Sequence, residues 1–559
     1  MRLSKRDIGL FALVGVTLII LLFGLDLIPS PFARGGPTQA FLPTAVAPAD
    51  NAIVRENALL GTTGWQIPDG KEASTEIQAY AGATSVLPGH TLTFYVSTQK
   101  EGTPYSISIY RLGWYGGTGG RLKFYQANLV GHAQGYFDLS QYVLNKKYLV
   151  GCNSCRVNLQ TGLVEANWRA SYTLKVPSDW TTGIYLAKFV DVNGTQIYTP
   201  FDVRGNSRSA YVVVTPDLTN AAYNVWGGFS LYQAPNANNQ GVVSEAVDRG
   251  AGVKVSFDRP YATDGGASDL LSGEADAIHW LERQGYDLSY MSDVDVHENP
   301  RELLNHKAYL SIGHDEYWSK EERDAVTQAR DRGVGLAFLA GNDVYWQIRF
   351  EKDSAGTPDR TVVCYKVEAL QNNYALDPLY GKDNTRVTAQ WRDPVLGLPE
   401  YSLIGIMYSG LNHNMEFPWR VSPQAKSPLL DGTGLLPGKS YGCGIVGNEW
   451  DRVVNNAAAP AGLQVLGASP TVNGSNKPDV SNTTYYIARS GAMVFAAGSI
   501  DWTLALDSYR FSIDPACANQ NPVVPGLQKL LANVMAALVI RHPSQQLTGI
   551  NFPHALSSI

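Results

Sequence analysis

The spacing of apolar positions changes near residue 215, and the chain divides there. Upstream the runs are short and alternate, at 91–96, at 105–112 with Ile107, Ile109 and Arg111, and again at 168–176, 183–191 and 210–215. Period-two runs bounded by turns, with almost no long helical pattern among them, predict a β-sandwich-like domain over residues 51–215. One stretch inside it, Gly113-Trp114-Tyr115-Gly116-Gly117-Thr118-Gly119-Gly120, is too glycine-dense to be the interior of an element. It lacks a following Lys-Ser/Thr, and Arg121 opens a strand instead of a helix, which argues against a phosphate loop.

Downstream the pattern becomes strand, helix, strand. Residues 309–312 form a short apolar run closed by Gly313. Residues 320–330 place Ala325, Val326 and Ala329 on a helical stripe with Gly333 as the stop, and 334–339 make a second buried strand ending at Gly341-Asn342. This is one βαβ unit, and open α/β sheets carry their chemistry outside the carboxyl ends of the strands. Further strands are expected at 254–257, 286–291 and 491–499, and helices at 276–284 and 526–540, giving an α/β domain over 216–545. The run after residue 220 packs Tyr223, Trp226, Gly227, Gly228 and Tyr232 into a turn-rich rim.

The polar group His314-Asp315-Glu316-Tyr317-Trp318 follows the first of these strands. In extended chain His314 and Glu316 share one face, with Asp315 and Tyr317 on the other. A carboxylate that close to a buried strand needs compensation. It pairs with an arginine such as Arg349, caps the helix near Ser319, or serves a metal or acid–base site. Asp293, Asp295 and His297 also share a face if extended, but polar runs at strand ends more often make turn hydrogen bonds. His413 reads as a surface hydrogen-bonder, and Glu449, after a Gly-Ile-Val run, as a supporting partner behind a site.

Composition narrows the class. With 44% apolar and 17% charged residues the chain is globular, and a net charge of −6 with no basic stripe gives no reason to expect nucleic acid. Aromatics at 11% suit β-rich folds and also carbohydrate-facing surfaces. Residues 8–25 are uncharged and preceded by Arg2, Lys5 and Arg6. As a helix they span about 27 Å, close to the roughly 30 Å hydrocarbon core of a bilayer. Residues 1–28 are therefore expected to be a transmembrane signal-anchor, 29–50 a Pro/Gly tether, and 546–559 a tail. The bulk of the chain lies outside the cytoplasm, with secretion after cleavage as the alternative. Of five cysteines, Cys152 and Cys155 are expected to close a loop as a local disulfide; Cys364, Cys443 and Cys517 cannot be paired from sequence.

Several stretches together carry a resemblance: Tyr110-Arg111-Leu112-Gly113-Trp114-Tyr115-Gly116-Gly117, Tyr223-Asn224-Val225-Trp226-Gly227-Gly228, Phe257-Asp258-Arg259-Pro260-Tyr261, His314 through Trp318, and Gly341-Asn342 with Tyr345-Trp346. On these the chain resembles the N,N-dimethylformamidase large (beta) subunit-like family over most of residues 50–545. The resemblance implies a β-sandwich beside a glutamine-amidotransferase-like α/β domain. It also implies a mononuclear Fe(III) held by two tyrosines and a glutamate, with a histidine nearby. Carried over, the glutamate is Glu316, the histidine His314 and one tyrosine Tyr223. The second tyrosine is assigned to Tyr185, with Tyr232 and Tyr317 left open, and Asn342 is placed to orient a substrate carbonyl. Hard anionic oxygen donors suit a trivalent ion, which can polarise an amide carbonyl and acidify water.

The leading expectation is thus an iron-dependent hydrolase cleaving the C–N bond of a small, formamide-like amide. One alternative is an inactive, membrane-anchored binding or structural protein on the same scaffold, since fold does not fix function. Another is a carbohydrate-active or carbohydrate-binding protein. The resemblance allows homo-oligomers, and this chain does not contain the separate small subunit of the characterised enzyme.

Overall fold

The computed structural model describes residues 50–205, 208–235, 245–454, 459–509, 517 and 520–542. The expected anchor, nearly all of the tether and the 546–559 tail lie outside them. Among the described residues no helix is long and apolar enough to cross a membrane.

The first layer pair consists of two β-sheets packed face to face. A five-stranded sheet runs in the order Ser85–Val86, Gln196–Val203, Gly183–Asp191, Pro104–Leu112, Gly120–Val130, and faces a three-stranded sheet of Ile77–Ala81, Thr91–Thr98 and Tyr172–Lys175. Alternation explains how the larger sheet is used. Ile107, Ile109, Phe189 and Phe201 point into the sandwich against Phe94 and Val96. Tyr110, Leu112, Ile184, Leu186 and Tyr198 point the other way, onto Trp280, Leu281 and Leu288 of the α/β domain. A strand covered on both faces has no polar side to show, so Gly183–Asp191 is buried along nearly all its length.

The α/β domain is built on a seven-stranded sheet in the order Leu288–Ser292, Tyr211–Thr215, Ala308–Ser311, Gly335–Phe338, Met493–Ala496, Pro478–Ile487, Gln464–Val472. The first five strands are parallel and the last two antiparallel. Helices Ala275–Arg283 and Pro525–Leu538 cover one face through Val213, Leu310, Ala337 and Phe495. Helix Lys320–Asp331 covers the other through Tyr309, Leu336 and Phe338. The strand at 210–215, counted with the sandwich from its sequence, belongs here instead. It pairs in parallel with strands on both sides, and its register with Leu288–Ser292 and Ala308–Ser311 makes it a central strand of this sheet. Its local pattern is that of any buried strand and carries no mark of its partners.

A four-stranded sheet of Lys254–Ser256, Thr361–Val363, Trp346–Glu351 and Tyr317–Ser319 extends from the strand ends, and a long hairpin of Met407–Arg420 and Ser440–Arg452 packs against the antiparallel strands Pro478–Ile487 and Gln464–Val472. Cys152 and Cys155 are disulfide-bonded as expected, Cys443 pairs with Cys517, and Cys364 is free and buried.

The two domains are joined by a fully buried ion pair. Arg111, on the sandwich strand Pro104–Leu112, donates to both carboxylate oxygens of Glu282, on helix Ala275–Arg283, at 2.6 and 2.9 Å. The guanidinium also donates to the carbonyls of Thr182 and Leu112 and to the Tyr115 hydroxyl, and Glu282 also accepts from Tyr290 and Asn57. Such a pair is costly to half-remove, because the surviving charge stays buried. Arg111→Met is expected to destabilise the protein by about 3–5 kcal/mol. The double change Arg111→Met with Glu282→Met should recover most of that loss, read as denaturant midpoints.

Candidate functional site

The segment after strand Ala308–Ser311 turns at Gly313, whose φ of +69 suits glycine. A Cβ there would also meet Glu274 Cγ at 2.6 Å. The next residues are clamped on both sides. The Glu316 N–H donates to Thr219 Oγ1 of helix Asp217–Tyr223 at 3.0 Å, and the Glu316 carbonyl accepts from the Tyr345 and Trp346 N–H groups at 2.9 Å. Asp315 faces away, its carboxylate taking the Ser311 hydroxyl at 2.6 Å and the Trp318 indole N–H at 2.7 Å. His314 and Glu316 therefore point together into one site, as their spacing predicts.

Glu316 meets two phenols there. Tyr223 ends helix Asp217–Tyr223, and the chain returns through Gly227 and Gly228, at φ +80 and +96, to place Tyr232 against it. Side chains at these glycines would collide with Val164 and Tyr148. The Tyr223 and Tyr232 rings stack at 4.1 Å between centroids. Tyr223 O to Glu316 Oε2, Tyr232 O to Glu316 Oε2, and Tyr232 O to Tyr223 O are each 2.7 Å. Tyr317 reaches the same group: its hydroxyl lies 2.7 Å from Tyr232 O and accepts from Lys366 Nζ at 2.6 Å. Lys366 Nζ is also 3.6 Å from Glu316 Oε1. Burial, reinforced by the Glu316 charge, holds the hydroxyls of Tyr223, Tyr232 and Tyr317 well above the ordinary phenol range. Burial lowers Lys366, against the pull of Glu316.

On the other side of Glu316, His314 Nε2 lies 3.2 Å from Glu449 Oε2 and 3.5 Å from Glu316 Oε2, aligned for a good hydrogen bond with neither. Burial opposes its charge, yet the Glu449 and Glu316 carboxylates outweigh that and push the imidazole up to about 9. Burial would raise Glu449, but the imidazolium beside it brings the carboxyl below its usual range. Asn342, at φ +56, donates its backbone N–H to Asp451 at 2.9 Å and its side-chain amide to Glu449 Oε2 at 2.7 Å. Its Oδ1 is buried without a hydrogen-bond partner. Tyr345 and Tyr408 pack nearby with ring centroids 5.1 Å apart and planes tilted by 45°, and the Arg392 guanidinium lies 4.7 Å over the Tyr345 ring.

Of the residues singled out from sequence, Glu316, Tyr223, His314 and Asn342 come together. Tyr185 does not. It lies in the sandwich core, fully buried, with its hydroxyl donated to the Thr181 carbonyl at 2.7 Å and its ring stacked on Trp180 at 4.9 Å. Its position faces the second sheet of the sandwich, and Tyr232 stands at the site in its place. Tyr317, placed by alternation on the face opposite Glu316, arrives because Tyr317–Ser319 joins the smaller sheet and turns its ring toward Tyr232. Glu449 touches His314 directly instead of standing behind it. Lys366, in a polar, turn-rich stretch, had no signal in the sequence. Arg349, the proposed partner of Glu316, pairs with Asp377 at 2.7 Å, and the helix cap is Ser319 itself. Asp293 and Asp295 open the helix Asp293–Glu298, where Ser292 and Asp295 form a capping box. His413 bonds Asn448 at the surface, as expected.

The donor set fits a cation. Among the described residues no three His, Cys, Asp or Glu side chains cluster as a metal site, so an ion here depends on the phenols. Three mutually close oxygens need three protons or a positive charge between them, and this triangle has only two hydroxyl protons of its own. An edge of 2.7 Å is near the roughly 2.8 Å between neighbouring ligands of an octahedral ion with bonds of about 2.0 Å. The orphaned His314 Nε2 and Asn342 Oδ1 mark further polar capacity at the same place. Carboxylate and phenolate are hard donors that suit a trivalent ion.

Comparison with known proteins agrees with the stretches that carry the resemblance. The N,N-dimethylformamidase beta subunit of Alcaligenes sp is 22% identical over 419 residues, 64% of this chain and 54% of that one. The N,N-dimethylformamidase beta subunit of Paracoccus aminophilus is 24% identical over 280 residues, 44% of this chain and 36% of that one. The chain thus spans about half the length, or less, of these curated relatives. A solved cycloisomaltooligosaccharide glucanotransferase from Paenibacillus sp. overlaps with a TM-score of 0.14 and 10% identity, over 54% of this chain and 36% of that one, too weak to bear on the fold. Residues 106–519 match the family described as N,N-dimethylformamidase beta subunit-like, C-terminal, and the chain belongs to that family.

Proposed function

We propose that this chain hydrolyses the C–N bond of a small, formamide-like amide at one ferric ion held by Glu316, Tyr223 and Tyr232. The observation that carries the reading is the triangle of oxygens 2.7 Å apart, buried at the strand ends with His314 beside it. Its family membership and the printed names of its relatives support an amide as the substrate class. Those relatives are named beta subunits, so we propose further that the chain works in an assembly, as a homo-oligomer or with a second polypeptide. The apolar segment at 8–25 would hold the centre outside the cytoplasm.

A ferric ion bound there would supply Lewis acidity, polarising the amide carbonyl and acidifying water. The protein's own groups handle the protons. His314 Nε2 faces the carboxylates of Glu449 and Glu316, which hold the ring as imidazolium with a proton available to the site. The same nitrogen then delivers that proton to the departing amine, which leaves poorly as an anion. Asn342 fixes Glu449 through its side-chain amide, and Glu449 in turn sets the charge and position of His314. Burial keeps bulk water from competing for these hydrogen bonds.

Four outcomes test this. The full chain, solubilised in detergent and purified without chelator, should carry about one iron per chain with a broad tyrosinate-to-iron absorption. Tyr232→Phe should abolish or strongly reduce the absorption, while Tyr185→Phe should leave it intact; the reverse pattern refutes the assigned ligands. His314→Gln should retain iron and lower turnover of small formamides by about 10²–10⁴-fold, and wild-type turnover in that variant would remove His314 from the chemistry. In iron-free protein, the His314 imidazole should titrate near 9, above its ordinary 6.5, when followed by NMR. Because the folded value is raised, its contribution to stability is complete below about pH 6.5 and is lost as the pH rises through about 9. Glu449→Gln should bring the titration back toward the ordinary value.

A further inference from the structure

The site holds a third phenol that the ligand set does not use, and a buried lysine that no proton-transfer step needs. Lys366 Nζ sits 2.6 Å from the Tyr317 oxygen and 3.4 Å from the centroid of the Tyr232 ring, with the Trp346 ring at 5.1 Å. Its charge is matched by Glu316 Oε1 at 3.6 Å. An ammonium group donates and cannot accept. The Tyr317 oxygen must therefore be the acceptor in that contact, which leaves its single proton for its other neighbour, Tyr232 O, at 2.7 Å. The chain of contacts has a fixed direction, from Lys366 to Tyr317 to Tyr232.

We infer that Tyr317, directed by Lys366, is a positioning residue that donates a permanent hydrogen bond to the Tyr232 phenolate and makes the two phenolate ligands unequal. This rests on the ferric reading above. Once Tyr232 has lost its proton the bond becomes charge-assisted and strengthens. Among the described residues the Tyr223 oxygen touches only Glu316 and Tyr232, both within the triangle, so it receives no such donor from outside. A hydrogen bond to a ligand atom draws electron density from it, one of the ways a protein tunes the metal it holds. Tyr232 becomes the weaker donor, and the ion it helps bind becomes the stronger Lewis acid. The arrangement also orders the Tyr232 ring, held between the Tyr223 ring on one contact and the lysine cation on another.

The test is the position of the tyrosinate-to-iron band in the full chain. A hydrogen bond stabilises the filled phenolate orbital, so its removal lowers the transition energy. Tyr317→Phe, which deletes only the hydroxyl, should keep the iron and move the band to longer wavelength. Lys366→Met should move it the same way, and Lys366→Arg, which keeps a donor-only cation, should return it toward the wild-type position. An unmoved band in Tyr317→Phe overturns the inference. So does loss of iron and of band intensity with no shift, which would make Tyr317 a ligand. A wild-type protein with neither iron nor band instead brings down the ferric reading, and this inference with it.

Discussion

Glu316 is a carboxylate taken out of water at the point where two sheets meet. Burying such a group costs several kcal/mol unless its oxygens are met by donors or a positive charge. Here its Oε2 is met by two phenols, and Lys366 and His314 stand within 3.6 Å of its oxygens. Lys366 is itself buried and Tyr223, Tyr232 and His314 are half-buried, so each is partly cut off from water and meets the carboxylate instead. The group therefore stands or falls together, and the scaffold is best understood by how it forces these side chains to converge.

The convergence is built outward from helix Ala275–Arg283. Near its carboxyl end, Glu282 takes the Arg111 guanidinium and docks the sandwich. Just before its start, Glu274 packs beside Gly313 and lies 3.5 Å from the Asn220 amide, so it touches the turn that aims Glu316 and the helix that ends in Tyr223. The sandwich strands that face this helix carry their apolar residues on both sides, one set for their own core and one for the α/β domain. A disturbance at the domain seam is in this way only one helix away from the oxygen triangle. The long hairpin supplies Glu449 from the opposite direction, and the small sheet supplies Tyr317.

Much of this frame was legible in the sequence. The βαβ unit, Gly313 as its turn and the shared direction of His314 and Glu316 all follow from side-chain periods of 3.6 and 2.0, which need no partner to be recognised. Sheet membership does not follow from period. Residues 211–215 read as a buried strand in either domain, and only pairing with both neighbours decides it. Tyr185 shows the same limit on the scale of one side chain. Alternation tells that it is on the inner face of its strand, not that this face looks into the sandwich. Tyr232 had a usable signal, a glycine pair that folds the chain back beside Tyr223. Lys366 had none, because its helix is short and its flanks are polar, and its place is fixed by rings and a carboxylate that come from three other segments.

The triangle of Glu316, Tyr223 and Tyr232 is proposed as a metal-binding face and not simply a hydrogen-bonded cluster. Diffraction from crystals of the iron-loaded protein, recorded on both sides of the iron absorption edge, tests it most directly. One anomalous peak per chain is expected, within bonding distance of a Glu316 carboxylate oxygen and of the Tyr223 and Tyr232 phenolate oxygens, with His314 unligated beside it. A crystal with no peak at this place, or with iron bound elsewhere and the three oxygens still hydrogen-bonded to one another, would contradict it.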